Sequence, residues 1–268
     1  MAKLDLITSS TRPASPAAGK AYFETDTNKV IIWDGTAWTE LVSDTAPAFS
    51  NAYSVDLDGT NDYVNVVAST DFAFGTSNFS FSVWFNPDVI SGYRSVVDFR
   101  PSNGDLLPAL FNSPTGGFKL YVWAGASKIL NYDTALTPGQ WYHAVYTRSG
   151  TNATLYLNGS SVATGSDSNN YSLSGAPKWG GLGSGVGANT FNGKLDECAV
   201  FNSALSSSDA TDIYNSGAPA DLTSYSPVGW WRMGDNDSGT GTTITDQGSG
   251  SNNGTLTNGP TFSSSVPS

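Results

Sequence analysis

Cysteine, histidine and glutamate are almost missing from this chain. Cys198 is the one cysteine, His143 the one histidine, and glutamate occurs only at positions 24, 40 and 197. A single cysteine excludes an internal disulfide. Without a Cys/His cluster, zinc has no ligand set. A nucleophilic triad would have to use His143, yet no G-x-S-x-G elbow accompanies it. His143 therefore reads as a hydrogen-bonded strand histidine beside Trp141 and Tyr142. Cys198 lies in DECAVF, with no Lys, Arg or His close in sequence to depress its pKa. It reads as a small core hydrophobe. Basic residues are scarce too: 12 Lys and Arg stand against 23 Asp and Glu, giving a net charge of -11. That excludes binding driven by nucleic-acid phosphates and attraction to an anionic membrane. No apolar run approaches the ~18 residues of a spanning helix. The opening MAKLDLITSSTRP lacks the apolar stretch of a signal peptide. The expectation is a chain made in the cytoplasm, not exported by that route and not inserted in a membrane.

What is present points to strands. Residues 141–162 read WYHAVYTRSGTNATLYLNGSSV, with apolar and polar residues alternating. Asn158-Gly159 sits between two β-prone runs, the strongest short-range hairpin signal. The 29 Gly residues indicate many short turns, and 8 Trp, 12 Tyr and 13 Phe supply bulky core material. The acid is nearly all Asp, which favours turns and caps over helix interiors.

Three regions follow. In residues 1–45, strands around 21–23, 30–33 and Trp38 are separated by TDTNK and Asp34-Gly35, a meander too small to bury a core alone. It is expected to pack on the rest of the chain or on copies of itself. SDTAPAFSN (43–51) reads as a linker. Candidate strands of the main β domain cover 53–57, 62–67, 79–86, 93–99, 106–111, 118–123, 128–132, 141–148, 153–158, 161–164 and 191–201, the turn spacing of an all-β sandwich. One helix is predicted over 205–214, capped by Ser and ended by Gly217 and Pro219. Residues 217–268 form a tail. Two adjacent tryptophans in VGWWRM (228–233) argue for a strand there. GTLTNGPTF is expected to be another, with a floppy loop over 234–252.

Three blocks, SVDLDGTNDYVNV (54–66), QWYHAVYTRSGTNATLYLNGSSVATG (140–165) and FNGKLDECAVFNSALSSSDATDIYNSG (191–217), together resemble the laminin-G-like branch of the concanavalin A-like lectin/glucanase superfamily. The resemblance implies an all-β jelly-roll sandwich of two antiparallel sheets spanning 46–268. The tail motif WWRMGDNDSGTGTTITDQGSGSNNGTL looks like the strand that ordinarily precedes such a domain, here circularly shifted. It could close this sandwich or serve a neighbouring subunit. RPASPAAGKAYFETDTNKVIIWDGTAW (12–38) is similar to short β repeats of bacteriophage tail fibres and other virion surface proteins. That likeness implies a non-enzymatic virion structural protein, a fibre or capsid decoration protein. Its residues 1–45 would anchor to other virion proteins or make a homo-oligomer, plausibly a trimer, and its sandwich could meet host-surface glycans. A free carbohydrate-binding module is the alternative, and a glycoside hydrolase a remote one.

Catalysis finds little to work with. Retaining glycosidases need two carboxyls ~5 to 5.5 Å apart, and the glucanase pattern E-x-D-x-x-E is absent. Calcium is the favoured ion, since it takes 6 to 8 oxygens from carboxylates and carbonyls. Asp56, Asp58 and Asp62 flank a Gly turn, and Asp196 lies on a late strand; the competing reading is that these side chains brace turns and bond backbone amides. Asp235-Asn236-Asp237-Ser238-Gly239 reads as an Asx-rich turn. For a glycan, Trp179, Tyr171 and Trp123 are the candidate platforms, with Tyr93 and Tyr132 behind them, although strand aromatics usually face a core. GGLGSGVG (180–187) lacks the Lys of a phosphate loop and reads as a flexible rim loop.

Overall fold

The computed structural model describes residues 4–27, 29–42, 49–89, 92–102, 105–113, 119–124, 127–133, 135–183 and 189–268. The chain divides into two compact units, Met1–Ala48 and Phe49–Ser268.

The first unit is a four-stranded sheet, one strand more than the sequence suggests. β2 (Ala21–Glu24), β3 (Lys29–Trp33) and β4 (Trp38–Val42) form the expected antiparallel meander. β1 (Asp5–Ile7) adds in parallel to β2. Only three residues long, it carries no alternating signal. Trp38 packs edge-on against Tyr22 and Trp33, with ring centroids 5.5 and 5.4 Å away. Among the described residues of this unit only Glu24 and Ile31 are buried. Glu24 is held by Arg12 and by the Thr27 hydroxyl. Leu6 is 66% exposed.

The second unit is a sandwich of two sheets. The back sheet runs β14 (Ser160–Ser166), β13 (Asn152–Leu157), β12 (Tyr142–Ser149), β7 (Phe79–Pro87), β16 (Asn192–Phe201), β5 (Ser54–Asp58) and β20 (Thr261–Ser263), with β17 (Gly229–Trp231) paired to the far half of β16. The front sheet runs β11 (Ser127–Tyr132), β10 (Lys119–Ala124), β9 (Pro108–Ser113), β8 (Arg94–Asp98), β15 (Lys178–Trp179), β6 (Tyr63–Val66), β19 (Gly254–Thr257) and β18 (Thr243–Ile244). Among the described residues the strands of the two sheets pair antiparallel, and Ser95 makes an isolated parallel bridge to Thr190.

Period-2 alternation sorts the front sheet into rows. Leu256, Val64, Trp179, Val97, Leu110, Val122 and Leu130 lie side by side across seven strands and all join the core between the sheets. The bulge at Ser95/Val97 lets both Val96 and Val97 face inward. The outer face of the back sheet is covered as well. Val145, Tyr156, Ala199 and Phe201 pack under the helix α1 (Ser207–Tyr214), with Trp230 and Phe49 beside them. α1 starts at a capping box between Ser206 and Asp209. It ends at Asn215 in the left-handed conformation, ahead of the predicted Gly217.

The tail closes its own sandwich. β17 and β20 extend the back sheet, β18 and β19 the front. Residues 234–252, expected to be floppy, are tied instead by short carboxylates. Asp237 accepts from the Thr245 amide and hydroxyl at 3.0 and 2.6 Å. Asp246 accepts from the amides of Trp230, Gly248 and Asn252, each at 2.7 Å. Polar composition concealed this order because the partners are backbone amides. Gly180, Gly181, Leu182 and Gly183 are likewise buried rather than a free loop; residues 184–187 of that stretch lie outside the described ones.

Candidate functional site

The helix lies on the back sheet; on the outer face of the front sheet the centre, at Asp98 and Ala109, is buried beside Arg100, Leu182 and Gly183, and the described residues on either side of it reach solvent. The central row of that face reads Thr243, Thr255, Asn65, Lys178, Asp98, Ala109, Trp123 and Lys128, one residue from each of eight strands. Thr243, Thr255 and Lys128 are exposed, and Asn65, Lys178 and Trp123 half-buried. Trp123 leans on Ala109, Phe111 and Leu182, which fixes its ring against the sheet. The Lys128 ammonium lies 3.7 Å from the Tyr121 ring centroid. Asp98 is fully engaged: Arg100 donates from Nε and Nη2 at 2.8 Å each, and the Gly183 amide donates at 2.9 Å. Lys178 Nζ donates to the Gly183 carbonyl at 3.2 Å. Burial pushes the Lys178 pKa down, while Asp98 pulls it up. The face thus offers an aromatic surface with amide, hydroxyl and ammonium groups in one line. Among the described residues of this row the carboxylate is Asp98, and it is already bonded to Arg100 and the Gly183 amide.

The expected glycan residues divide on this geometry. Trp123 lies on the face. Trp179 and Tyr171 do not: both have zero exposure. On β15 it is Lys178 that faces out, which turns Trp179 inward against Phe99 and Trp231. Tyr171 packs edge-on to Phe79, and its hydroxyl donates to buried Asp167 at 2.8 Å. Neither ring can serve as a platform. Tyr93 is exposed, and Tyr132 packs partly against the core.

The expected calcium residues separate too. Asp56, Asp58 and Asp62 line one rim cavity of about 300 Å³ with Asp88, Asn192 and Asn258. There Asp58 accepts from the Thr60 amide at 2.7 Å, and Asp62 from the Asp58 amide at 3.3 Å. Lys194 Nζ sits 3.6 Å from Asp56 and 3.4 Å from Asp88. Asp196 does not join this group.

Asp196 belongs to a buried cluster with Glu197 and Asp235. Among the described residues these are the three acidic groups whose ligating atoms lie within 4.8 Å of one another. β16 bulges between Asp196 and Ala199, where its edge partner changes from β5 to β17. Glu197 adopts φ 43° there. Burial pushes the carboxyls of Asp196, Glu197 and Asp235 upward in pKa. The Arg232 guanidinium takes the central place. It donates from Nε to Glu197 at 2.9 Å and from Nη2 to Asp235 at 3.3 Å and to the Ser50 carbonyl. Trp230 Nε1 completes Glu197 at 2.6 Å. With a guanidinium already there, the cluster reads as a structural junction of three distant segments. Neither Arg232 nor Asp235 was legible as its partner from sequence spacing; the only cue was that WWRMGD sets a charge between buried aromatics and a Gly.

His143 Nε2 lies 2.7 Å from Ser82 Oγ, while Nδ1 has no partner among the described residues. The imidazole is fully enclosed by Trp84 and Tyr214. Burial lowers its pKa to about 3. Burial likewise raises the Cys198 thiol far above its usual range.

A family model described as the concanavalin A-like lectin/glucanases superfamily (Laminin_G_3) matches residues 58–211. A search of curated proteins finds none that matches. Among solved structures, a candidate carbohydrate-binding protein from Bacteroides ovatus is 17% identical, with TM-score 0.61, covering 94% of this chain and 71% of that one. A heptameric SAP-like pentraxin from Limulus polyphemus is 15% identical, with TM-score 0.49, covering 62% and 84%. Domain 4 of the arabinanase AbnA from Geobacillus stearothermophilus, solved with arabinotriose, is 17% identical, with TM-score 0.47, covering 60% and 76%. At 17% identity the likeness to the Bacteroides ovatus protein is one of fold.

Proposed function

The chain belongs to the concanavalin A-like lectin/glucanases superfamily, and on that premise we propose that it is a non-enzymatic carbohydrate-binding protein that holds a saccharide on the outer face of its front sheet. The observation that carries the proposal is the row through Trp123. A half-buried, braced aromatic stands in line with Asn65, Thr255, Lys178 and Lys128, on the sheet that no helix covers. An indole offers an apolar face to sugar C–H groups, and the neighbouring side chains supply directional hydrogen bonds. Replacing Trp123 with Ala is expected to weaken saccharide binding at least tenfold, because a central aromatic anchor commonly contributes about 2 kcal/mol or more. A glycan array followed by calorimetry on the best ligand measures this; undiminished binding by W123A would remove the face from the proposal. Repeating the array with EDTA tests the divalent cation expected at Asp56, Asp58 and Asp62.

In the same proposal the first unit ties the sandwich to a virion. The support is the likeness of residues 12–38 to fibre repeats, together with the unit's thin core and the exposed Leu6. Deleting residues 1–48 should leave a folded sandwich that is monomeric and no longer joins particles. An unchanged oligomeric state by light scattering, with undiminished incorporation, would refute the anchoring role and leave a free carbohydrate-binding module.

A further inference from the structure

The two sheets differ in charge, in a sense that the whole chain hides. The eight strands of the front sheet contain four cations, Arg94, Lys119, Lys128 and Lys178, against one carboxylate, Asp98. The back-sheet strands contain Arg148 and Lys194 against Asp56, Asp58, Asp196 and Glu197. On the face that carries Trp123, in a protein of net charge -11, the strand residues Lys128 and Lys178 stand in one row with a single carboxylate, Asp98.

The cations of the sandwich also differ in their partners. Arg148 is buried near Asp167, Lys194 lies between Asp56 and Asp88, and Arg232 joins Glu197 and Asp235. Lys178 and Lys128 make no ion pair among the described residues. Lys178 is half-buried and meets only a carbonyl oxygen. The carboxylate directly across from it, Asp98, is taken by Arg100 and the Gly183 amide. Lys128 is held over the Tyr121 ring next to Trp123. Asp98 attracts the Lys178 ammonium but is already shared with Arg100, so this half-buried charge is incompletely neutralised, and an incoming anion relieves that cost. The two ammonium groups belong to strands four steps apart, about 19 Å at the usual strand spacing. Trp123 lies between them, so a short oligosaccharide rather than a single ring would reach both.

Resting on carbohydrate binding at this face, we infer that its ligand is an acidic oligosaccharide, one whose carboxylate or sulfate groups meet Lys178 and Lys128 while a ring stacks on Trp123.

The test is an array that carries each saccharide backbone in acidic and neutral form. Oligogalacturonates with their methyl esters report a carboxylate, and chondroitin oligosaccharides with their desulfated counterparts report a sulfate. Calorimetry on the best pair then measures the affinity ratio. The acidic member is expected to bind about tenfold or more tightly, the scale of one charge-assisted hydrogen bond. Raising ionic strength from about 0.05 M to about 0.5 M should shrink that ratio. In the K128M/K178M double variant the ratio should fall to near one, with folding checked by circular dichroism. Equal affinity for acidic and neutral members, or a preference indifferent both to salt and to the double variant, overturns the inference and leaves carbohydrate binding standing. If neither member of any pair binds, both readings fall together. Should the double variant not fold, the salt dependence of the unaltered protein still decides.

Discussion

Replacing Arg232 with Met is expected to destabilise the sandwich by about 3 to 5 kcal/mol, the usual cost of removing one partner of a buried charge pair. The guanidinium side chain is 12% exposed and pairs with Glu197, which is 2% exposed, while also bonding Asp235 and the Ser50 carbonyl. Methionine keeps much of the apolar stem but leaves Glu197 buried with only the Trp230 indole as a donor. The Phe49 ring, 4.2 Å from the guanidinium, loses its cation as well. Adding Glu197→Gln should recover part of the loss, because the stranded charge disappears with it. Urea unfolding of the two single variants and the double variant measures the coupling. A loss below about 1 kcal/mol for R232M, or strict additivity in the double variant, would show that the cluster is not a coupled unit.

Stability is also expected to fall in acid, with His143 as the main source. In the unfolded chain a histidine titrates near 6.5; in the fold burial holds His143 to about 3. Below about pH 6.5 the unfolded state takes up a proton that the folded state refuses. Stability conferred by the neutral ring is therefore complete above that pH and drains away as pH falls toward 3. At 1.36 kcal/mol per unit the full window amounts to about 5 kcal/mol. Asp196 and Glu197 act in the opposite sense. Their raised folded pKa values mean that the unfolded carboxyls release protons first as pH rises, so their contribution is largest in acid and declines from about pH 4 upward. His143→Gln isolates the histidine. Whatever that variant costs at neutral pH, its unfolding free energy should lose several kcal/mol less than the wild type between about pH 6.5 and pH 4. Parallel slopes would exclude His143 as the source.

The Trp123 and Lys178 side chains show where sequence reading stops. Both Trp123 and Trp179 sit in strands, and alternation says that each faces the side opposite to its two neighbours. It does not say which side that is. Register settles it: Trp179 pairs with Val64 and Val97 and is drawn into the core, while Trp123 stands beside Ala109 on the other face. The single-residue spacing that makes strands easy to find also reverses every side chain when the facing is misjudged. The acidic residues show the same limit. Asp58 and Asp62 are four apart and do meet at one turn. Asp196, Glu197, Arg232 and Asp235 converge because a bulge and a strand exchange bring segments over thirty residues apart to one point.

By itself, then, the chain's order of residues determined the β class, the hairpin at Asn158-Gly159, the helix after Phe201 and, with one cysteine, the exclusion of an internal disulfide. These depend on local φ/ψ preference, period-2 alternation and residue counts, none of which needs a partner strand. Only the tertiary structure decided that the tail closes its own sandwich, which aromatic reaches solvent, and that Lys178 and Lys128 share a row with Trp123. Those are properties of pairing between strands far apart in the chain, and pairing is chosen by the burial of whole faces at once.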